Sequence, residues 1–349
     1  MPRVAAVEHL TLAEADEVRA LARAAAMVDG VAPLSERFLV GLAEGGEHVV
    51  ATDAQGGVAA YGRVRDDRVA ELVVHPLARQ RGLGTRVLAA LIGAAGGSGA
   101  SGAAGGSRGP GGAAVSGVSG AAGVPGTPGD AGGGSWGALR VWAHGDLAPA
   151  RALLTRAGLR KIRELHKLSR RLTPADANPT ELPEGFVVRP FTRGRDEAAW
   201  LAVNAAAFAG HPEQGAVTRA DFERLANQPW FDPRGLLLLE TTGPNVTLAG
   251  SHWTKLDGEP QRVASDGEMA VAGEVYVVAV APPFQGRGLA GPLTAAGLAH
   301  LAAAGVRDVV LYVDADNVAA RRTYARAGFE SILLDGMYAA AGNGGEPIT

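Results

Sequence analysis

The chain contains the stretch Glu71-Leu-Val-Val-His-Pro76, which leads into Arg79-Gln-Arg-Gly-Leu-Gly84. It repeats this pattern 206 residues later as Val277-Val-Ala-Val-Ala-Pro282, leading into Gln285-Gly-Arg-Gly-Leu-Ala290. In both copies a β-branched run ends at Pro, and a Gly-containing turn then opens a segment with helical character. A second pair of motifs, RALLTRAG at 151–158 and RRTYARAG at 321–328, repeats at an offset of 170. The chain is therefore an internal duplication.

The two offsets differ by 36 residues, so the first copy is longer by that length between its two motifs. The segment from Gly96 to Ser135 lies in this interval and consists almost entirely of Gly, Ala, Ser, Pro and Val. Such a segment buries too little side chain to offset the entropy lost on ordering. We predict a disordered Gly-rich insertion at 96–135 inside the first domain, with a binding role as the alternative.

A length of 349 residues favours two domains. The polar, Pro-containing stretch 173–184 is the expected linker, between an N-terminal domain 1–172 and a C-terminal domain 185–349. Each copy reads as strand, helix, strand, helix, which predicts two α/β domains with mixed sheets. The predicted strands are Val69–Val74, Leu139–Ala143, Glu274–Val280 and Val309–Val313, and the predicted helices begin near Gly82, Ala148, Gly288 and Val318.

Composition restricts the class of protein. The chain has no cysteine, which excludes disulfides, thiolate zinc sites and a cysteine nucleophile. A formal net charge of -3 with interspersed signs gives no broad basic field for nucleic acid or anionic lipid. With no apolar run of about 18 residues and no secretory signal pattern, we expect a cytoplasmic protein that binds no membrane. We also expect a small-molecule substrate, a monomer and no metal.

The Gly-containing turn between strand and helix predicts an anion site. Glycines let a phosphate approach the main chain, and the helix start directs N–H groups and a positive dipole end at it. Arg79, Arg81 and Arg287 are candidates for additional contacts with the phosphates. The alternative is an ordinary Gly-containing turn, but a P-loop and a Rossmann site are disfavoured because neither motif follows. The duplicated pattern resembles GNAT acetyltransferases, in which this loop holds the pyrophosphate of acetyl-CoA.

Acetyl transfer to an amine requires a base, donors for a developing oxyanion and a proton for the leaving thiolate. Strict alternation along the strand places Glu274, Tyr276, Val278 and Val280 on one face. Apolar neighbours would raise the pKa of Glu274, which would then act as base directly or through water. The alternative is an exposed glutamate at a strand end. Val278–Val280 are expected to offer backbone groups to the pantetheine arm and the thioester.

Asn317 lies at the start of the last predicted helix, and Tyr324 lies about two turns further along it. They resemble the GNAT pattern of an Asn that contacts the cofactor and a Tyr that protonates the CoA thiolate. An ordinary helix N-cap and a core aromatic residue are the alternatives. At the repeat offsets Glu274, Asn317 and Tyr324 correspond to Arg68, Leu147 and Leu154. The first copy is therefore expected to keep the scaffold without competent catalysis, so that the chain has one active site.

Longer stretches of the chain resemble the mycothiol synthases, a family of tandem GNAT proteins. These stretches are Val28-Asp-Gly-Val-Ala-Pro33 with Glu36, Glu71–Pro76, Trp142-Ala-His-Gly145, Ala207–Gly215, Trp230-Phe-Asp-Pro233, His252-Trp-Thr-Lys255, Gly273–Val277, Leu311–Val313 and Asp316–Ala320. The resemblance implies transfer of acetyl from acetyl-CoA to the cysteinyl amine of desacetylmycothiol, Cys-GlcN-Ins. It also implies that the acceptor contacts Glu36, Glu213, Lys255, Glu274 and Tyr312, with Glu36 contributed from the first domain.

Acetyl-CoA is expected to contact the loop, strand and helix-start residues of both copies. In the first copy these are Leu72, Val73, Val74, Gln80, Arg81, Gly82, Leu83, Gly84 and Thr85. In the second they are Val278, Ala279, Val280, Gln285, Gly286, Arg287, Gly288, Leu289, Ala290, Gly291, Asn317, Val318, Ala319, Ala320, Arg321 and Arg322. Acetylation of another amine, such as a protein N-terminus or an aminoglycoside, and a non-catalytic acetyl-CoA sensor are the competing functions.

Overall fold

The structure, a computed structural model, describes residues 2–43, 45–97, 139–178, 181–209, 214–256, 258 and 260–340, without the side chains of residues 36, 37, 43, 96 and 97. Within these residues the chain forms two compact units. The first contains 2–97, 139–164 and 334–340, and the second contains 165–333. Of the predicted insertion only Gly96 and Gly97 belong to the described residues, at the end of a helix, and 98–135 lie outside them.

The strands are β1 (Arg3–Val7), β2 (Glu47–Thr52), β3 (Val58–Val64), β4 (Val69–Val74), β5 (Arg140–Ala143), β6 (Leu159–Arg171), β7 (Phe186–Pro190), β8 (Leu236–Thr241), β9 (Leu248–Lys255), β10 (Pro260–Arg262), β11 (Met269–Val280), β12 (Asp308–Asp314) and β13 (Glu330–Ala340). The α-helices are α1 (Leu12–Asp29), α2 (Glu36–Val40), α3 (Leu83–Gly97), α4 (Ala148–Arg156), α5 (Glu197–Ala207), α6 (Arg219–Ala226), α7 (Ala290–Ala303) and α8 (Val318–Arg326). No helix in the described ranges has the length and apolar character to cross a bilayer.

The first unit has a mixed sheet in the order β1-β2-β3-β4-β5, continued by the end of β13. Its neighbours are antiparallel except β4 and β5, which are parallel. Helix α1 begins at a capping box formed by Thr11 and Glu14 and ends at Gly30 with φ of 66°. Residues of α1 and α2 pack on one face of the sheet and residues of α3 and α4 on the other, which produces two apolar cores.

The second unit repeats this plan in the order β6-β12-β11-β9-β8-β7, and β10 pairs with the start of β11. Its parallel pair is β11 with β12. One face carries α7 and α8 with Leu293 and Tyr324 in the core, and the other carries α5 and α6 with Trp200 and Trp253. The predicted mixed α/β fold is confirmed, and the predicted strands and helices of both copies are present with ends shifted by a few residues.

The boundaries of the compact units fall inside β6 and β13. Residues 165–171 of β6 pair with β12 in the second unit, while 336–339 of β13 pair with β5 in the first. The expected linker contains a short 3-10 helix, Pro174–Ala177, stabilised by a capping box between Thr173 and Asp176. The division at 173–184 stays a prediction.

Candidate active site

The parallel strands of the second unit form a fork. Within the described parts of β11 and β12 the pairing runs from Ala272 with Asp308 to Glu274 with Val310 and then stops. Beyond this point β11 continues to Val280, paired on its other edge with β9. The strand edge that faces the fork therefore has backbone groups outside the β11–β12 ladder, where an extended ligand can bind them.

A β-bulge lies two residues after Glu274. The register between β11 and β9 shifts between Val275 and Val277, so Tyr276 is the additional residue. Tyr276, Val277 and Ala279 consequently pack with the α5 and α6 core, whereas Val275, Val278 and Val280 pack with the α7 and α8 core. The predicted alternation was wrong beyond Tyr276, because one inserted residue reverses the face of every side chain that follows.

The Gly loop of the second unit follows the fork. Gly286 and Gly288 have φ of 74° and 73°, values that favour glycine, and a Cβ at either position would meet no atom within 4 Å. The side-chain Nε2 of Gln285 donates to the carbonyl of Val280 at 2.9 Å, which ties the loop to the strand. Helix α7 then begins at Ala290, and its N-cap residue Leu289 makes no side-chain cap bond. The loop thus offers main-chain groups to an anion at an open surface.

A cavity of about 780 Å³ adjoins this loop. Seven predicted cofactor residues line it: Val280, Gln285, Gly286, Gly288, Leu289, Ala290 and Gly291. Arg170 borders it from the end of β6, Asp176 and Asn178 border it from the chain that follows, and Thr323 and Arg326 border it from α8. The other predicted cofactor residues of this copy are not among the described residues of the lining: Val278, Ala279, Arg287, Asn317, Val318, Ala319, Ala320, Arg321 and Arg322.

Asn317 and Tyr324 have defined structural positions. Asn317 Oδ1 accepts the backbone N–H of Ala320 at 3.1 Å, so this side chain caps α8. Tyr324 is 1% exposed and packs in the core that also contains Val278 and Val280, with its ring 5.8 Å from that of Phe329. Asn317 is therefore a helix N-cap and Tyr324 is a core aromatic residue, as the two alternatives from the sequence had it. Tyr324 also shares its core with strand residues of the fork.

Three predicted acceptor residues lie on one face of adjacent strands. Lys255 on β9 is directly opposite Glu274 on β11, which is opposite Val310 on β12, and Tyr312 follows two residues later. Glu274 and Lys255 are 8% and 6% exposed, so Glu274 is buried rather than an exposed strand end. We call Lys255, Glu274, Tyr276 and Tyr312 the Glu274 face. Glu213 lies outside the described residues, as does the side chain of Glu36.

Sequence reasoning missed several polar and aromatic neighbours of this face. Lys255 Nζ lies 5.2 Å from the ring centroid of Trp230. Lys167 is the cross-strand partner of Tyr312, and its Nζ lies 5.4 Å from that ring and donates to Gln261 Oε1 at 3.0 Å. Trp230 belongs to one of the stretches that carry the family resemblance, so the sequence contained a signal for it. The positions of Lys167 and Gln261 depend on strand register, which no local motif reports.

The first unit has a corresponding fork and loop. Its parallel pairing ends at Ala70 with Val141 in the described residues. Gln80 and Gly82 have φ of 61° and 76°, matching Gly286 and Gly288. A cavity of about 600 Å³ is lined by eight predicted cofactor residues: Leu72, Val73, Val74, Gln80, Gly82, Leu83, Gly84 and Thr85. Leu147 and Leu154 also line it, and Arg81 is not among the described residues that do.

The Arg79 side chain makes three hydrogen bonds within the first unit. Its two terminal nitrogens each donate to Asp29 at 2.7 Å, and its Nε donates to the carbonyl of Val74 at 3.1 Å. The last bond reproduces the bond from Gln285 to Val280. The Arg79 guanidinium thus forms a bidentate pair with a partly buried carboxylate, and its contact with phosphate stays a prediction.

A buried ionic cluster lies at the mouth of the first fork and was not predicted. His144 Nε2 is 3.1 Å from Glu71 Oε1, and His144 Nδ1 is 3.1 Å from Asp335 Oδ2. Burial alone would lower the pKa of His144, but the two carboxylates outweigh it and raise the pKa well above its ordinary value. Glu71 Oε2 also accepts the backbone N–H of Ser35 at 2.7 Å, just before α2.

Comparisons with known proteins agree with this geometry. The sequence profile of the acetyltransferase (GNAT) family matches residues 213–329. The mycothiol acetyltransferase of Thermobispora bispora is 41% identical over 334 residues, covering 94% of this chain and 96% of that protein. The mycothiol acetyltransferase of Streptomyces griseus is 40% identical over 341 residues, covering 95% and 94%.

Solved structures give the same fold. A GCN5-related N-acetyltransferase from Sphaerobacter thermophilus has a TM-score of 0.65 at 23% identity, covering 99% of this chain and 98% of that one. A tandem GNAT protein from the clavulanic acid biosynthesis pathway has a TM-score of 0.63 at 16% identity, covering 99% and 100%. At these identities the likeness demonstrates the tandem GNAT fold.

Proposed function

The chain belongs to the mycothiol acetyltransferases, acetyl-CoA-dependent N-acetyltransferases of the GNAT family, and from this premise we propose that its second unit acetylates the cysteinyl amine of Cys-GlcN-Ins. The observation that carries the assignment of the site is the position of Glu274. This buried carboxylate lies at the last paired position of the fork, opposite Lys255 and on the face that carries Tyr312. Acyl donor and amine would therefore meet where β11 and β12 separate.

Each step of the chemistry has a candidate group. Glu274 takes the proton of the acceptor amine, directly or through water, because only the neutral amine attacks a thioester. Backbone groups of Val278–Val280 at the fork bind the pantetheine arm and the developing oxyanion. Tyr324 shares a core with Val278 and Val280 and supplies the proton for the leaving thiolate.

The acetyl-CoA pyrophosphate would bind at the loop 285–291. Two glycines in the left-handed region, an uncapped helix start and an adjacent cavity fit this anionic group. The loop of the first unit has the same backbone conformation, and we propose that Leu72–Val74 and Gln80–Thr85 hold a second acetyl-CoA that does not react. The leucines at 147 and 154 support this assignment, since neither side chain can donate a hydrogen bond or a proton.

Acceptor recognition would involve Lys255, Glu274 and Tyr312, joined by Glu36 and Glu213 on the strength of the family resemblance. A pseudodisaccharide offers many hydroxyls and one amine, which carboxylates, an ammonium and a phenol can bind. The acceptor amine distinguishes this proposal from acetylation of a protein N-terminus or an aminoglycoside. A monomer in the cytoplasm stays our prediction.

The direct test is release of CoA when the protein is incubated with acetyl-CoA and Cys-GlcN-Ins, beside a panel of other amines. Turnover with Cys-GlcN-Ins well above the panel supports the proposal. A Glu274→Ala, Tyr324→Phe double variant should lose almost all turnover. Preference for another amine would reject the acceptor, full turnover by the double variant would reject the site, and acetyl-CoA binding without any turnover would favour a sensor.

A further inference from the structure

The turn Trp230-Phe-Asp-Pro233 lies between α6 and β8 beside the Glu274 face. The N–H of Phe231 donates to the carbonyl of Gln228 at 3.0 Å, and the Asp232 carboxylate accepts the N–H of Arg234 at 2.9 Å. The Phe231 ring packs 5.5 Å from that of Trp253. Both the backbone and a neighbouring aromatic ring therefore fix the turn from which Trp230 projects.

The Trp230 ring borders two members of the Glu274 face. Lys255 Nζ lies 5.2 Å from its centroid, and the Tyr276 ring lies 5.2 Å away at an angle of 60°. Lys255 comes from β9 and Tyr276 is the bulge residue of β11, so one indole spans two strands next to Glu274. The ring is only partly buried, which leaves part of it accessible.

The contact has a clear physical consequence for Lys255. Lys255 is 6% exposed, so the residue is largely removed from water. An aromatic face attracts a cation through its quadrupole, and the attraction is stronger when water is excluded. Lysine is also a flexible chain with many rotamers, and a fixed ring restricts them. Without the indole the ammonium would lose both a favourable partner and a defined direction.

We propose that Trp230 is a positioning residue for the acceptor: its ring holds the Lys255 ammonium beside Glu274 in the orientation that binds a hydroxyl-bearing amine. This inference rests on the proposed acetylation of Cys-GlcN-Ins. Trp230 has no part in the proton transfers. Its loss should therefore weaken acceptor binding and leave acetyl-CoA binding and the chemical step nearly unchanged.

The test compares Trp230→Leu with Trp230→Phe, which keeps an aromatic face. Trp230→Leu should raise KM for Cys-GlcN-Ins about tenfold, equivalent to about 1.4 kcal/mol. Trp230→Phe should raise it less than about threefold, and KM for acetyl-CoA and kcat should stay within about twofold in both. Trp200→Leu is the matched control, because Trp200 is 1% exposed and packs in the same aromatic cluster, 5.3 Å from Trp253. It should reduce stability and leave KM for the acceptor unchanged.

A double-mutant cycle with Lys255→Met separates positioning from packing. In the Lys255→Met background Trp230→Leu should cause no further rise in KM for the acceptor. An equal rise in both backgrounds, or an equal rise for Trp200→Leu, overturns the inference. If the unmodified protein turns over Cys-GlcN-Ins but Trp230→Leu has an unchanged KM for it, the inference is overturned and the proposed function stands. Absence of that turnover rejects the proposed function and this inference with it.

Discussion

At the scale of single residues, the position of Glu274 in the fork supports its proposed role as the general base. Glu274 is buried, it lies where the parallel strands separate, and it faces Lys255 across the strand pair. Glu274→Gln should reduce kcat about 100-fold or more, because a positioned base contributes about 10²–10⁴-fold. The measurement is CoA release at saturating substrates. Glu268→Gln is the control and should retain full activity, because Glu268 is exposed and lies just before β11. A loss of activity below tenfold in Glu274→Gln would mean that another group is the base.

The backbone conformation of Gln80 affects the stability of the protein. It has φ of 61° in the first loop, where the equivalent Gly286 has φ of 74° in the second. A side chain in the left-handed region costs about 1–2 kcal/mol, partly offset in a substitution by the greater unfolded-state freedom of glycine. Gln80→Gly should therefore stabilise the protein by up to about 1 kcal/mol, and Gly286→Ala should destabilise it by about 1 kcal/mol.

Denaturant unfolding of both variants measures this difference. The two loops serve as controls for each other, because one change removes a side chain from a left-handed position and the other introduces one. Equal signs for the two variants would contradict the interpretation of Gln80 as strained.

At the scale of elements, the sequence predicted the strand-turn-helix units because their signals are local. A β-branched run that ends at Pro and a Gly turn require no knowledge of the rest of the chain. The bulge at Tyr276 was not predictable, since the stretch Glu274–Val280 is uniformly apolar after its first residue and any register gives a buried strand. Lys167 likewise reaches Tyr312 only through the pairing of β6 with β12, between segments far apart in the chain.

The cluster of Glu71, His144 and Asp335 joins β4, the turn after β5 and β13. Because the folded-state pKa of His144 is raised, its contribution to stability is complete below the ordinary histidine pKa of about 6.5 and is lost as pH rises through the folded-state value. The first unit should therefore become less stable as pH increases above neutrality. His144→Gln should remove this dependence and cost about 3 kcal/mol, since it leaves two buried carboxylates without a cation.

Hydrogen exchange of amides in β4 and β5, measured from pH 6 to pH 9 and corrected for intrinsic rates, follows this unit separately from the second. His75→Gln provides a control, because His75 caps a short 3-10 helix outside the cluster. Protection that does not change with pH, or that falls equally with pH in His144→Gln, would contradict the assignment.

At the scale of the whole molecule, the two copies share the backbone geometry of the loop but differ in the side chains that acid-base chemistry needs. Both units retain a fork, a loop with two left-handed residues and a side-chain bond from loop to strand. Only the second has Glu274, Asn317 and Tyr324, and the first has Leu147 and Leu154 at the positions of Asn317 and Tyr324. Because the bulge at Tyr276 adds one residue to β11, strand pairing puts Val69, and not Arg68 as predicted, at the position of Glu274. Binding of an anionic cofactor depends on backbone geometry, which tolerates sequence change, whereas acid-base chemistry depends on particular side chains. The first copy can therefore lose turnover while it retains a cavity.

This division predicts two acetyl-CoA molecules per chain and one site of turnover. Gly82 and Gly288 form a matched pair, with φ of 76° and 73° and no atom within 4 Å of an added Cβ. Valine at either position should force the loop out of its present conformation, because a β-branched residue is a marked outlier at positive φ. Calorimetric titration should give two bound acetyl-CoA for the unmodified protein and one for each variant. Gly288→Val should lose turnover about 100-fold, while Gly82→Val should keep it within about threefold.

Gly305→Val controls for strain itself, because Gly305 has φ of 81° after α7 with equally open surroundings. It should bind two acetyl-CoA and retain turnover. One acetyl-CoA per unmodified chain would reject binding by the first unit. Equal loss of turnover in Gly82→Val and Gly288→Val would instead mean that the first loop takes part in catalysis. The assignment of separate roles to the two copies depends on a first unit that only binds acetyl-CoA and a second unit that also turns it over. Either result would contradict that assignment.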